Sequence, residues 1–248
     1  MAKQEMVFGL HSVQALLKSA PQRVQKLVLM RGRQDDRVQK ISNAAKNNDI
    51  PVEIADRKAM DNMGDEGNHQ GVIAFVSPGK TYDEHDLYEL LEGLDSVPLL
   101  LVLDGVTDPH NLGACIRSAD AAGVNAVIIP KDNSAGLTES ARKVASGAAD
   151  AVPLVVVTNL ARTLKALQEK GLWVSGAAGE AEQTVFEADL RGPRVIVMGA
   201  EGTGMRRLTR ETCDELVNIP MAGTVSSLNV SVATGVVLFE VVRQRSSS

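Results

Sequence analysis

The sequence predicts an α/β protein in which a small α/β domain precedes a larger domain with a mostly parallel sheet. From residue 98 onward, short apolar segments alternate with segments of helical spacing, which is typical of a parallel sheet covered on both faces. Two of the last apolar segments, Val195–Met198 and Leu216–Ile219, end in loops rich in small residues. Such loops mark the carboxyl ends of parallel strands, where α/β proteins bind their ligands.

The composition indicates a soluble globular protein. The 248 residues, 44% of them hydrophobic, suffice for one large or two ordinary domains. Two cysteines, Cys115 and Cys213, are too few for a disulfide framework, which favours a reducing compartment. The first residues lack the apolar core of a signal peptide, and no apolar run has the length of a membrane span. We therefore expect a cytoplasmic protein with no membrane partner.

Charge is distributed unevenly along the chain, although the net charge is only −5. Residues 1–80 contain 12 lysines and arginines against nine acidic residues, whereas residues 81–97 contain six acidic residues and no lysine or arginine. The acidic total argues against strong sequence-independent binding of nucleic acid, yet local basic patches can still bind phosphates. We interpret residues 1–77 as a small domain, 78–97 as an acidic linker and 98–248 as the larger domain.

The small domain is expected to contain three helices and three strands. In chain order these are helix Leu10–Ser19, strand Lys26–Met30, helix Asp35–Asn48, strand Pro51–Ala55, helix Asp56–Met63 and strand Val72–Val76. Asp35 or Asp36 is expected to cap the second helix. Basic residues that include Arg31 and Arg33 surround the first strand, and they form either a solvated charged surface or an RNA-contacting patch.

The larger domain is expected to alternate strands with helices, after a short helix at Asp86–Leu94 within the linker. The predicted strands are Leu99–Leu103, Ala126–Ile129, Leu154–Val157, Leu172–Ser175, Val195–Met198 and Leu216–Ile219, and the predicted helices are Asn111–Ala122, Thr138–Ala148, Leu160–Lys170 and a last segment from Leu228 onward. Asn111 is the expected N-cap of its helix, and Thr158 or Asn159 of the third.

The common catalytic signatures are absent from the sequence. It contains neither a phosphate loop of the G-x-x-x-x-G-K-[ST] type nor G-x-G-x-x-G, and its histidines and cysteines lack metal-ligand spacing, so we predict no metal site. Asp104, His110 and Ser227 would supply the side chains of a hydrolase triad. No G-x-S-x-G turn holds the serine, which disfavours a hydrolase.

The first of three polar loops at predicted strand ends is Asp104–Asn111, which leads into a helix. Gly113 in that helix allows close approach of another backbone. Arg117, further along the helix, either pairs with Asp120 three residues later or takes part in the activity of the protein.

The other two loops lie near the C-terminus. The second, GAEGTGMRR, places Glu201 among small residues, where a carboxylate can orient a hydroxyl or a base. It is followed by three arginines suited to binding phosphates, Arg206, Arg207 and Arg210. The third, Met221–Asn229, offers backbone donors and small polar side chains. Ser226 or Ser227 alternatively does no more than cap the last helix.

Together these loops resemble the three ordered motifs of the SpoU (TrmH-type) RNA ribose 2′-O-methyltransferases. The motifs read DPHNLGACIRSADAAGV, VIVMGAEGTGM and IPMAGTVSSLNVSVATGVVLFE, and similarity extends to FGLHSVQALL and NHQGVIA near the N-terminus. The resemblance covers nearly the whole chain. It implies a SPOUT domain with a deep trefoil knot, a homodimer, S-adenosylmethionine as methyl donor and a ribosomal-protein-like RNA-binding domain at the N-terminus.

The resemblance also implies site residues. The methyl donor would contact Gly199, Ile219 and Leu228, with neighbouring backbone from Met198, Ala200, Pro220 and Met221. The implied catalytic set is Asn111, Arg117, Glu201, Ser227 and Asn229. Because the pKa of a guanidinium exceeds about 12, we expect Arg117 to bind a substrate phosphate and stabilise a developing alkoxide rather than act as a base.

Within this family the likeness is greatest to enzymes that methylate a guanosine ribose in the peptidyl-transferase region of 23S ribosomal RNA. We therefore expect this activity. The alternatives are a tRNA 2′-O-methyltransferase of the same family and a non-catalytic RNA-binding factor in ribosome assembly.

Overall fold

The computed structural model describes residues 5–33, 35–63, 69–77 and 82–246. The chain divides into two compact units, one within residues 1–80 with 146–151, and the other within residues 81–145 and 152–248. Among the described residues, no helix combines the length and the apolar character needed to cross a membrane.

The first unit is built on a mixed sheet. In chain order its main elements are β1 (Glu5–Phe8), α1 (Leu10–Ser19), β2 (Val24–Met30), α2 (Asp36–Asn47), β3 (Val52–Ala55), α3 (Arg57–Met63) and β4 (Val72–Val76). The strand order is β1-β4-β2-β3, with β2 and β3 parallel and the other pairs antiparallel. Leu16, Leu27 and Ile41 form part of the core between this sheet and helices α1 and α2.

The second unit contains the parallel sheet that the alternating pattern predicts. Its elements are α4 (Glu84–Glu92), β5 (Leu99–Asp104), α5 (Pro109–Ala121), β6 (Ala126–Pro130), α6 (Glu139–Ala145), β7 (Leu154–Val157), α8 (Leu160–Glu169), β8 (Trp173–Ala177), β9 (Gln183–Thr184), β10 (Arg194–Gly199), α9 (Arg207–Thr212), β11 (Glu215–Asn218) and α10 (Val230–Ser246), while α7 (Ala148–Ala151) belongs to the first unit. The strand order is β7-β6-β5-β10-β8-β11-β9, and every neighbouring pair is parallel.

Most predicted elements are confirmed, and the differences have local causes. The expected helix Thr138–Ala148 is interrupted, because Ser146 and Gly147 adopt positive φ angles of 53° and 92°. Strands β1 and β9 and helix α9 were not predicted, since segments of two to six residues are too short to show a period.

The N-caps of α2, α5 and α8 can be compared with the residues predicted to cap these helices. Asp35 caps α2 as expected, and Asn159 caps α8. The prediction of Asn111 as an N-cap is wrong, because α5 begins two residues earlier, at Pro109. The N-cap is Asp108, whose side chain accepts a hydrogen bond from the backbone N–H of His110. Proline suits the first position of a helix because its missing N–H would have no partner there.

The acidic segment contains a packed helix. Asp83 caps α4 with a capping box, and Leu87 is completely buried among residues of β5, β7 and α8. Tyr82 adds a parallel bridge to Val155. Helix α4, which lies inside the segment interpreted as a linker, is therefore part of the second unit.

Replacing Leu87 with alanine should lower the free energy of unfolding by about 2–5 kcal/mol, because a buried leucine leaves a cavity when it is truncated. The fluorescence of Trp173, the sole tryptophan, reports unfolding of the second unit in urea. The control is Val97→Ala, since Val97 is 50% exposed and its truncation should change stability by less than about 0.5 kcal/mol. Equal effects of the two variants would show that α4 is not part of the core.

Candidate active site

A cleft of about 710 Å³ lies at the carboxyl ends of three neighbouring strands, β10, β8 and β11. The loops that follow these strands form its walls, and the beginning of α10 closes it. The lining residues are 177–180 after β8, 198–205 with Arg210 around the β10 loop, 217–221 around the β11 loop, and Ser226, Ser227, Leu228, Val230 and Ala233. This volume is within the range of small-molecule sites.

The β10 loop is tightly folded. Ala200 and Gly204 exchange two backbone hydrogen bonds, with N–O distances of 3.0 and 2.9 Å, so the chain reverses within five residues. A Cβ atom on Gly199 would overlap the backbone of Gly204 and Met205. Glycine is therefore required at position 199 for the loop to close.

A buried carboxylate fixes this loop to the sheet. Asp104, at the end of β5, accepts hydrogen bonds from the Arg206 backbone N–H at 2.8 Å and from its Nε at 2.6 Å. The Asp104 side chain is fully buried, whereas that of Arg206 is half-exposed. The sequence suggests Asp104 only as a triad acid, because no local pattern connects two residues 102 positions apart.

All seven residues implied to contact the methyl donor line this one cleft. They are Met198, Gly199, Ala200, Ile219, Pro220, Met221 and Leu228. Of the implied catalytic set, Glu201 and Ser227 also line it and are exposed to solvent. The site also includes residues 177–180 after β8, which the sequence analysis did not select because they belong to none of the three motifs.

Asn111 and Asn229 are brought together beside the cleft. The Nδ2 of Asn229 donates to the Oδ1 of Asn111 at 3.0 Å, although the residues are 118 positions apart. Asn229 precedes α10, and its Oδ1 accepts the backbone N–H of Ser231 at 2.9 Å. Asn229, rather than Ser226 or Ser227, thus caps the last helix, so the simple capping interpretation of the two serines is wrong.

Arg117 lies on the exposed surface of α5 and is not among the residues that line the cleft. Within the described part of the chain it forms no hydrogen bond or ion pair, so the alternative pairing with Asp120 is not formed. Gly113 has the expected role, since a Cβ there would overlap the Ala141 carbonyl oxygen and lie 2.9 Å from Val144 Cβ. Helix α6 therefore packs closely on the helix that carries Arg117.

Four of the five arginines expected to contact RNA are held by acidic residues. Besides the Arg206–Asp104 pair, Arg207 pairs with Glu211 at 2.8 Å, Arg210 pairs with Glu180, and Arg33 pairs with Asp35 at 2.6 Å. Arg31 is exposed and forms no ion pair with any described residue. All three arginines after the β10 loop are thus paired with acidic residues, and Arg206 anchors the loop.

The described residues contain neither an assembled hydrolase triad, nor a reactive thiol, nor a metal-binding cluster. Asp104 is bonded to Arg206 and not to His110, so the hydrolase triad is not assembled. Burial raises the pKa of the Cys115 thiol to about 11 and that of Cys213 to about 12, which makes both thiols poor nucleophiles at neutral pH. Within residues 5–33, 35–63, 69–77 and 82–246, no group of three or more His, Cys, Asp or Glu side chains is placed to hold a metal.

Comparison with known families accounts for both units. Residues 98–239 match the SpoU rRNA methylase family, and residues 6–82 match the family model for RNA 2′-O ribose methyltransferase substrate binding. This chain belongs to the SpoU family. The resemblance seen in the three motifs is thereby confirmed, and the SpoU match contains every residue of the implied donor and catalytic sets.

Individual SpoU relatives are similar over almost the full length. A Pseudomonas aeruginosa protein, 23S rRNA (guanosine-2′-O-)-methyltransferase RlmB, is 62% identical over 245 residues, which cover 99% of this chain and 98% of the relative. The SpoU methyltransferase AviRb of Streptomyces viridochromogenes has the same fold, with a TM-score of 0.78 at 24% identity, covering 100% of this chain and 92% of that one. An AdoMet-bound rRNA methyltransferase from Sinorhizobium meliloti has a TM-score of 0.72 at 25% identity, covering 96% and 86%.

Replacing Gly199 with alanine should abolish measurable binding of S-adenosylmethionine in calorimetry, because the new Cβ collides with backbone that cannot move without opening the loop. Gly223→Ala is the matched control. A Cβ at position 223 meets nothing within 4 Å and the residue does not line the cleft, so binding should be unchanged. If Gly199→Ala bound S-adenosylmethionine normally, the β10 loop would not be part of the site for the methyl donor.

Arg206→Ala should destabilise the second unit by about 1–3 kcal/mol, since it removes a charge-assisted hydrogen bond to the buried Asp104. Arg207→Ala, which removes an exposed pair one residue later, should change stability by less than about 0.5 kcal/mol. Urea unfolding followed by Trp173 fluorescence compares the two variants. The anchoring role of Arg206 is contradicted if the losses are equal.

Proposed function

We propose that this protein transfers a methyl group from S-adenosylmethionine to the ribose 2′-hydroxyl of a guanosine in 23S ribosomal RNA. One observation carries the proposal: the second and third SpoU motifs line one cleft, the first contacts the third beside it through Asn111 and Asn229, and the chain is 62% identical over 99% of its length to a 23S rRNA (guanosine-2′-O-)-methyltransferase. We further propose that this guanosine lies in the peptidyl-transferase region of the 23S ribosomal RNA. The ribosomal substrate also supports a cytoplasmic location.

The residues of the cleft suit S-adenosylmethionine, which would supply the methyl group as part of a sulfonium. Apolar side chains of Ile219, Leu228 and Met221 provide walls for an adenine, and the peptide groups around Gly199 provide donors and acceptors. The related Sinorhizobium meliloti rRNA methyltransferase is AdoMet-bound. In this proposal Met198, Gly199, Ala200, Ile219, Pro220, Met221 and Leu228 hold the methyl donor.

Proximity and charge stabilisation are the main contributions that the protein makes to this reaction. Methyl transfer requires the hydroxyl oxygen and the methyl carbon to be held in line, and it requires loss of the hydroxyl proton but no metal. Asn111, Arg117, Glu201, Ser227 and Asn229 are our candidates to bind the ribose. Arg117, exposed and unpaired among the described residues, is suited to a phosphate next to the reacting ribose.

A homodimer and a knotted C-terminal segment are further parts of this proposal. Helix α10 is apolar on several sides: Val237, Leu238 and Val241 are buried, while Val232 and Phe239 are 52% and 50% exposed. An exposed apolar stripe of this kind supports contact with a second copy of the chain. The placement of β10 between β5 and β8, with the last loop against the β10 loop, is compatible with the knot.

The RNA-binding role of the first unit rests on its substrate-binding family match and on its basic balance. Of the basic residues considered, Arg31 is the best candidate, since Arg33 donates to both Asp35 and the Gln70 carbonyl. The alternative substrate is tRNA: an Aquifex aeolicus TrmH/SpoU tRNA-modifying enzyme is 31% identical, but it matches only 66% of this chain. The match over the first unit favours ribosomal RNA.

The function is tested by incubating the protein with labelled S-adenosylmethionine and 23S rRNA from a strain that lacks the modification. Label should enter the rRNA, and nuclease digestion with mass spectrometry should find 2′-O-methylguanosine at a single site. Unmodified tRNA serves as the competing substrate. Methylation of a base, or preferential labelling of tRNA, would contradict the proposal, and a failure to bind S-adenosylmethionine would favour a non-catalytic RNA-binding factor.

Arg117→Lys should lower the rate of methyl transfer by at least about tenfold, because an ammonium cannot reproduce the bidentate geometry of a guanidinium on a phosphate. The pH–rate profile should keep its shape, since the proposed role of position 117 is to bind a phosphate and not to accept a proton. Binding of S-adenosylmethionine measured by calorimetry is the control and should not change. Wild-type activity in Arg117→Lys would exclude Arg117 from both phosphate binding and activation of the hydroxyl.

A further inference from the structure

Ser231, which belongs to the third motif but not to the implied site residues, makes two contacts that determine the orientation of the Asn111–Asn229 pair. The Oδ1 of Asn229 accepts both the backbone N–H of Ser231 at 2.9 Å and the Ser231 hydroxyl at 2.6 Å. The Nδ2 of Asn229 then donates to Asn111 Oδ1 at 3.0 Å. The three residues form a short chain of hydrogen bonds from the start of α10 to the first turn of α5.

The polarity of this chain follows from one group that cannot be reversed. A backbone N–H only donates, so the Asn229 atom that faces it must be the carbonyl oxygen. The amide nitrogen of Asn229 must therefore face Asn111. Because an NH₂ group also only donates, the Asn111 atom that meets it must be the oxygen, and the Nδ2 of Asn111 is turned away from the pair.

That outward NH₂ group is available to a ligand. Asn111 is partly exposed, and its Nδ2 has no hydrogen-bond partner within the described residues. Its partner Asn229 lies between Leu228 and Val230, which both line the cleft. The structure thus offers a hydrogen-bond donor, and not an acceptor, at this edge of the site.

We propose that Asn111 donates its Nδ2–H to an oxygen of the ribose–phosphate backbone of the substrate, and that Ser231 is the positioning residue that holds this orientation. The proposal rests on the proposed function and assigns the polarity of its ribose contact. Asn111 stabilises negative charge on the oxygen and does not accept the hydroxyl proton. Ser231 acts through Asn229 and does not itself contact the substrate.

The decisive comparison is Asn111→Asp with Asn111→Ala. A carboxylate at position 111 still accepts from Asn229 but replaces the outward donor with an acceptor, and alanine removes the donor without adding charge. Both variants should lose about 100-fold in kcat for 23S rRNA, the usual effect of removing one donor to a developing oxyanion. Wild-type kcat in Asn111→Asp would overturn the proposal. Wild-type kcat in Asn111→Ala would also overturn it, because any loss of kcat in Asn111→Asp would then be explained by repulsion between the new carboxylate and the RNA.

The role of Ser231 is tested by Ser231→Ala and Ser231→Thr. Removal of one of the two hydrogen bonds on Asn229 Oδ1 should lower kcat several-fold, up to about tenfold, while the Kd of S-adenosylmethionine stays constant. Threonine keeps the hydroxyl and should restore kcat. Ser246→Ala is the control, because that hydroxyl also bonds to α10, at its far end. Equal kcat in Ser231→Ala and the wild type would exclude the positioning role.

A readout independent of activity separates this inference from the proposed function. Side-chain amide exchange measured by NMR on the full-length protein should show the NH₂ of Asn229 protected and that of Asn111 exchanging rapidly. The opposite pattern would overturn the assigned polarity. If the wild-type protein methylated no RNA, the proposed function would fail, and the exchange pattern would still decide the orientation of the pair.

Discussion

The buried contact between Asp104 and Arg206 is the constraint on which the geometry of the site depends. It joins the end of β5 to the residue that follows the β10 loop, across 102 positions of sequence. Since Asp104 accepts both the backbone N–H and the side chain of Arg206, the contact fixes where the loop leaves the sheet. The turn between Ala200 and Gly204 then fixes the course of the loop that lines the cleft.

The remaining walls of the site follow from the order of the strands. Because β10, β8 and β11 are neighbours and all parallel, the loops that leave their carboxyl ends lie side by side. The β11 loop leads into α10, which packs against α5 and β10. In this way the two asparagines, one from the first motif and one from the third, come within hydrogen-bonding distance.

The arginines after the β10 loop form contacts within the protein. A run of arginines after a glycine-rich loop suggests a phosphate clamp, yet Arg206, Arg207 and Arg210 all contact acidic residues. The pair between Arg207 and Glu211 is an exposed contact between successive helical turns, which contributes little to stability. The contact at Arg206 differs because its partner is buried, and burial of a carboxylate requires compensation.

By itself the sequence determined the α/β class, most strands and helices, the family and seven residues that line the cleft, because each of these depends on local periodicity or on motifs that are continuous in the chain. The tertiary structure decided which residue caps α5, that the acidic segment packs as α4, and that Asp104 anchors Arg206. It also decided the polarity of the Asn111–Asn229 pair, which depends on Ser231. Apart from the cap, which is a local contact between Asp108 and His110, these features depend on contacts between residues distant in sequence, and no periodic pattern records them.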